Sequence, residues 1–246
     1  MKIEQRALRF YGGGNALIGI VDVPERPLAR GMLILTDSSQ YRSGSDRQFT
    51  LLSRLLAARG VPVLRFDRAG AGDSEGHATL RAQDDVPAAL KELFVHVPEM
   101  KEAVILAPGD AAACAALYAA GDPRVTGLAL LDPLLPRAPT AAAGAPAPMR
   151  YRPRSAADRL FRRAGALRHS TGGVAPALAQ ALAGFGGRVL LVCDGSGPGA
   201  RDATCALDDP HPRSRRVEIA HAGAGVRRSV WRDAIAFACA SWLGSW

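Results

Sequence analysis

Residues 102–107 (EAVILA) are an apolar run of strand length, residues 110–120 (DAAACAALYAA) are an apolar helical stretch, and only Pro108 and Gly109 separate them. A strand–turn–helix this tight serves to push a Ser, Cys or Asp side chain out of a strained turn, where it can attack an acyl carbon. The central residue needs small neighbours two positions to either side, because strand and helix backbones pass close together. Ala107 and Ala111 are that pair when Gly109 is central. The turn therefore has the shape of a nucleophile's seat and no nucleophile in it. Glycine reaches the required backbone region with little steric penalty, whereas a residue with a side chain is strained there by about 1–3 kcal/mol. Making Asp110 central places Pro108 at minus two, which fits poorly. Cys114 lies further down the helix and reads as core packing.

The other groups acyl chemistry would need are sparse. His221 follows a short strand, 216–220, at a place suited to a general base. Asp132 and Asp194 each end an apolar strand and are candidates to orient that imidazole. Asp37, Ser38 and Ser39 open a polar loop that runs to Ser45.

The elements that must position these residues alternate. Residues 2–10 and 16–23 flank Gly12-Gly13-Gly14 and predict an N-terminal β-hairpin. Strands are expected at 31–36, 61–66, 102–107, 126–131, 188–193 and 216–220. Helices are expected at 47–59, 84–95, 110–120 and 229–243, the first capped by Asp46 and closed by Gly60. This rhythm predicts an α/β fold, a mostly parallel doubly wound sheet with an N-terminal antiparallel hairpin. Residues 1–246 read as a single domain with a helical cap or linker insertion at about 134–186. Within the insertion, 136–148 is an Ala/Pro-rich linker, and helices are expected over 156–168 and 174–182.

Composition bounds the rest. The chain has 246 residues, 48% hydrophobic and 22% charged, enough to bury one large core. Its net charge of +8 comes chiefly from scattered arginines, the lysines being Lys2, Lys91 and Lys101. No nucleic-acid-binding motif accompanies that charge, so no nucleic-acid partner is expected. The first ten residues lack the apolar stretch of a signal peptide, and no run has bilayer-spanning length. Cys114, Cys193, Cys205 and Cys239 show no paired spacing and read as reduced thiols, so a cytoplasmic location is expected. Neither a cofactor nor a metal site is expected. The arginines at 150, 152, 154, 159, 162, 163 and 168 make the insertion basic, a surface suited to peripheral contact with an anionic membrane. The cluster Arg42, Arg47, Arg65, Asp67, Arg68, Asp73 and Glu75 reads as arginine–carboxylate forks pinning two loops.

Two segments carry a family resemblance. Residues 64–76 (LRFDRAGAGDSEG) are similar to the Asp-x-x-Gly-x-Gly-x-Ser turn after the fourth strand of many α/β-hydrolases. Joined with residues 40–49 (QYRSGSDRQF), they resemble the exosortase A system-associated hydrolases of the type called hydrolase 1. Those are bacterial proteins encoded beside exosortase and exopolysaccharide genes. The resemblance runs from about residue 17 to 242 and is weakest over the insertion. It implies an α/β-hydrolase fold and a site whose nucleophile, acid and base fall at Gly109, Gly197 and His221. Family members have Cys at the first, within Gly-Leu-Cys-Asp-Ala-Ala-Ser, and Asp at the second, within Ser-Gly-x-Asp. Their base segment, Asp-His-Thr-Phe-Ser, is matched by Ala220-His221-Ala222-Gly223-Ala224, and their oxyanion Gly-Gly-Pro by Asp37-Ser38-Ser39. Only the histidine is kept. Asp37, Ser38 and Asp110 are the expected substrate-contacting residues, and the expected partner is a small acyl substrate or another protein. Standard triad catalysis is expected to be absent; an acyl hydrolase using a rearranged site around His221 is the alternative.

Overall fold

The computed structural model describes residues 2–36, 40–77, 84–109, 111–131, 133, 181–194, 213–219 and 228–246. The hairpin forms as expected: β1 (Ile3–Gly12) pairs antiparallel with β2 (Asn15–Pro24). Gly12 lies opposite Asn15, leaving Gly13 and Gly14 as a two-residue turn with φ of 57° and 84°. Positive φ at both central residues matches the turn to the strands' right-handed twist.

Six mutually parallel strands follow the hairpin. These are β3 (Arg30–Ile34), β4 (Val63–Phe66), β5 (Glu102–Pro108), β6 (Val125–Leu131), β7 (Arg188–Asp194) and β8 (Ser214–Ile219), in one eight-stranded sheet of order β1-β2-β4-β3-β5-β6-β7-β8. β2 meets β4 antiparallel, and every later pair is parallel. The helices are α1 (Gln48–Ala57), α2 (Asp85–His96), α3 (Ala111–Ala119) and α4 (Arg228–Leu243).

Strand residues alternate between two cores. Leu33, Ile105, Leu128 and Leu191 join the core beneath α2 and α3, while Met32, Val104, Ala129 and Leu190 join the core beneath α1 and α4. Both faces of the central strands are buried, which is why those strands read as unbroken apolar runs. The expected helices over 156–168 and most of 174–182 fall outside the described residues. At the end of the insertion residues 181–184 are helical, and Leu182 and Phe185 pack into the first core.

The start of α1 differs from expectation. Asp46 does not cap it: Asp46 and Arg47 have left-handed φ of 50° and 59°, and no side chain caps the helix. The Ser43 carbonyl accepts from the Phe49 and Thr50 N–H groups at 2.9 and 3.3 Å and so does the cap's work. Backbone from the preceding loop has displaced the side chain that local propensity favours.

The turn from α3 to β6 is held by charge. Asp122 accepts from the Tyr118 hydroxyl (2.5 Å), the Arg124 side chain (2.6 and 3.0 Å) and the Arg124 N–H (3.0 Å). Chiefly through the Arg124 hydrogen bonds, its carboxyl is held down at about 2. Burial, and then Asp122 itself, push the Tyr118 phenol up to about 12. A depressed carboxyl stabilises the fold above its unfolded value and loses that contribution as pH falls through the folded one. The Arg124 side chain is 43% exposed, so solvent screening limits the effect to the order of 1 kcal/mol. Asp122→Asn is therefore expected to lower the urea midpoint at neutral pH, and the difference from the native protein should close between pH 4 and 2. A difference independent of pH over that window would contradict the assignment.

Candidate active site

β3, β5, β6, β7 and β8 all end at one edge of the sheet, because they are parallel neighbours. Pro108 is level with Leu131, Leu131 with Val192, and Asp194 with Ile219. The turn after β5 and the ends of β6, β7 and β8 are thus brought to the same rim.

The turn after β5 has the geometry its sequence predicts. Gly109 has φ of 55° and donates its N–H to the Leu131 carbonyl at 2.9 Å, so β6 clamps the turn. Ala107 and Ala111 are 0% and 2% exposed, the buried small pair expected two residues to each side. A left-handed φ at this residue is the conformation that would lift a side chain above the strand ends. Glycine offers none, so this position supplies no attacking atom and no proton.

Beside it, β3 carries its pairing one residue past its own end: the Leu35 N–H donates to the Leu106 carbonyl at 2.9 Å. Thr36 follows, 1% exposed. Asp37, Ser38, Asp110, Asp132, Gly197 and His221 lie outside the described residues. Asp194 is placed by its backbone at the end of β7, level with Ile219, two residues before His221.

The loops after β3 and β4 are tied to one another by a buried carboxylate. Asp67, whose side chain is fully buried, accepts from the Arg42 N–H at 2.6 Å, the Asp73 N–H at 3.1 Å and the Arg42 guanidinium. The same guanidinium reaches Asp73 at 2.8 Å and lies 4.3 Å from the Tyr41 ring centre, while the Tyr41 hydroxyl donates to Asp73 at 2.5 Å. Hydrogen bonds from Tyr41 and then Arg42 hold the Asp73 carboxyl below its ordinary value. Ser74 completes the tie: its hydroxyl donates to the Asp67 carbonyl (2.7 Å) and accepts from the Ile18 N–H (2.9 Å). The Asp-x-x-Gly-x-Gly-x-Ser turn is thus a structural strap for the rim.

The arginine–carboxylate cluster read from the sequence divides here. Arg42, Asp67 and Asp73 form the loop strap. Arg65 instead pairs with Asp22 (3.7 Å), and Arg68 with Asp85 (3.8 Å). Asp22 is the residue missed in the sequence. It is 1% exposed within β2 and accepts from Gln5 (2.7 Å) and the Ser53 hydroxyl. Its signal was available: a carboxylate inside an apolar strand must find partners when buried.

A cavity of about 480 Å³ lies at the opposite ends of the strands, lined by Glu102, Thr126, Phe185, Arg188 and Trp246 among others. It is remote from the Gly109 turn. Among the described residues, no cluster of His, Cys, Asp and Glu could hold a metal ion. No described helix is long and apolar enough to cross a membrane.

Strand order, the clamped turn after β5 and the strap after β4 together define the α/β-hydrolase fold. Comparison with solved structures agrees. The esterase Pf2001 of Pyrococcus furiosus superposes with a TM-score of 0.67 at 14% identity, covering 99% of this chain and 93% of that one. Est1E from Butyrivibrio proteoclasticus, solved with ferulic acid bound, gives 0.65 at 15% identity over 97% and 100%. The thioesterase domain from the curacin biosynthetic pathway gives 0.59 at 16% identity over the whole of both chains. No family model matches the chain, and no curated sequence matches it significantly.

Proposed function

We propose that this chain is a non-catalytic α/β-hydrolase-fold protein of the exosortase A-associated kind, which binds an acyl ligand or a protein partner and does not cleave a bond by triad chemistry. The observation that carries this reading is Gly109, a glycine at φ of 55° in the seat of the nucleophile. The resemblance puts the matching acid at Gly197 and the oxyanion glycines at Asp37-Ser38-Ser39, so the losses fall on functionally linked positions. Removing one triad member leaves a residual rate that depends on binding and oxyanion donors. This chain has changed those donors too. A cytoplasmic setting, an exopolysaccharide or protein-sorting locus, contact of the arginine-rich insertion with anionic membrane and the absence of a nucleic-acid partner belong to the same proposal.

The second reading is an acyl hydrolase working through a rearranged site around His221. What favours it is the esterase and thioesterase nature of the similar structures. Assays with p-nitrophenyl esters and acyl thioesters separate the two. The native protein is expected to stay at buffer background, with His221→Ala indistinguishable from it and Gly109→Cys raising the rate little. Native turnover that disappears in His221→Ala would overturn the proposal and establish the second reading.

A further inference from the structure

β1 is the outer strand on the hairpin side of the sheet, and among the described residues no strand lies beyond it. The hydrogen bonds and ion pairs of Ile3–Gly12 go to β2, to the His96 carbonyl, to Glu75 and to one another, so its outer backbone meets nothing in the monomer. Edge strands are ordinarily shielded from other chains by shortness, a bulge, a proline or a lysine. β1 has none of these. It runs for ten residues, pairs with β2 at ten consecutive positions without a register shift, and contains neither Pro nor Lys.

Backbone direction follows from one bond. The Glu25 N–H donates to the Lys2 carbonyl at 2.9 Å, so Lys2 faces β2. By the alternation of an antiparallel ladder, Glu4, Arg6, Leu8, Phe10 and Gly12 face it too. The N–H and C=O groups of Ile3, Gln5, Ala7, Arg9 and Tyr11 therefore point away from the sheet. Side chains divide by the same parity. Leu8 and Phe10 join the core beneath α2, and Arg6 is occupied by Glu4, at 2.8 Å twice, and by the His96 carbonyl. The odd-numbered side chains lie on the other face, all exposed except the half-buried Ile3.

A second copy adding antiparallel about a two-fold axis normal to the sheet sets residues of one face opposite one another. Centred on Glu4, Arg6 or Arg9, that axis opposes like charges. Centred on Gln5 or Leu8, it leaves some outward backbone groups of the strand without a partner strand. Centred on Ala7, it aligns Ile3–Tyr11 with its own reverse, and all five outward-facing residues form hydrogen-bonded pairs that exchange two N–H···O bonds each. The side chains agree with this register. Ala7 meets Ala7 on the axis, and Ile3 lies against Tyr11 of the other copy, which is 62% exposed in the monomer. Gln5 lies against Arg9 of the other copy. The Gln5 amide nitrogen already donates to Asp22 at 2.7 Å, which leaves its oxygen to accept from that guanidinium.

We propose that β1 is a homodimer interface in which two copies pair antiparallel about Ala7 and continue the sheet across both molecules. The occupant is a second copy because the strand complements its own reverse: no charge meets its like, and every outward backbone group finds a partner. This interface is independent of whether the Gly109 site binds or reacts.

Sedimentation equilibrium on the full chain tests it. The native protein is expected to associate to twice 25.8 kDa. Ala7 is exposed, so Ala7→Glu and Ala7→Lys should leave the urea midpoint of a dilute sample unchanged. Each sets like charges on the axis and should weaken self-association about tenfold. An equimolar mixture of the two variants should associate again, because a carboxylate then opposes an ammonium. Only a register that sets residue 7 against residue 7 gives that rescue. A native protein that stays monomeric at its solubility limit, variants that associate as the native protein does, or a mixture no tighter than either variant alone would each overturn the proposal.

Discussion

Asp67→Ala is expected to lower the stability of the fold by about 3–5 kcal/mol, read as a fall in the urea midpoint. The carboxylate is fully buried and serves three donors: the Arg42 N–H, the Asp73 N–H and the Arg42 guanidinium. Its removal leaves the Arg42 side chain, only 13% exposed, beside a void, with Asp73 as its remaining counter-charge. The backbone N–H groups lose their acceptors in the same step, each costing about 1–3 kcal/mol if it stays buried and unpaired. Asp67→Asn is expected to do nearly as much damage. Donors approach both carboxylate oxygens, so an amide must turn its NH2 against one of them whichever way it is flipped. Total stabilities of domains are about 5–15 kcal/mol, so this one carboxylate decides a large share. An Asn variant as stable as the native protein would sink the account of the strap.

Asp22→Ala carries the second large expected effect, also about 3–5 kcal/mol. Asp22 and Arg65 are 1% and 2% exposed, and burial pushes the Arg65 guanidinium below its ordinary range while Asp22 opposes that. Their contact is an ion pair at 3.7 Å, and the Arg65 Nε makes no hydrogen bond. Deleting the acid strands a buried cation. Deleting the base is gentler, because Asp22 keeps its bonds from Gln5 and Ser53. Arg65→Met should therefore cost clearly less than Asp22→Ala, and the double variant should be more stable than Asp22→Ala alone. Equal and additive costs would show that the two side chains act independently.

The turn after β5 was legible because it is local. The turn at Gly109 is specified by neighbours within two residues, and both flanking elements announce themselves by unbroken apolar runs. The Asp67–Gly76 loop was legible as a motif, but its partners were not: Tyr41 and Arg42 come from another loop. Grouping Arg65 and Arg68 with that strap failed for the same reason. Nearness in sequence put them together, whereas alternation along β4 and the neighbouring helices sends one to Asp22 and the other to Asp85. Asp46 was misread as a cap because propensity is weighed residue by residue, and the Ser43 carbonyl arrived from a loop whose path propensity does not encode.

By itself the sequence determined the alternation of strands and helices, the Gly13-Gly14 hairpin turn and the absence of an attacking side chain at Gly109. Each depends on interactions spanning only a few residues, where period and backbone sterics suffice. Tertiary structure alone decided that β4 lies between β2 and β3, and that Asp22 and Asp67 each gather donors from distant segments. Those outcomes depend on burial, since a carboxylate takes its meaning from what desolvates it, and that is settled only when remote parts of the chain meet.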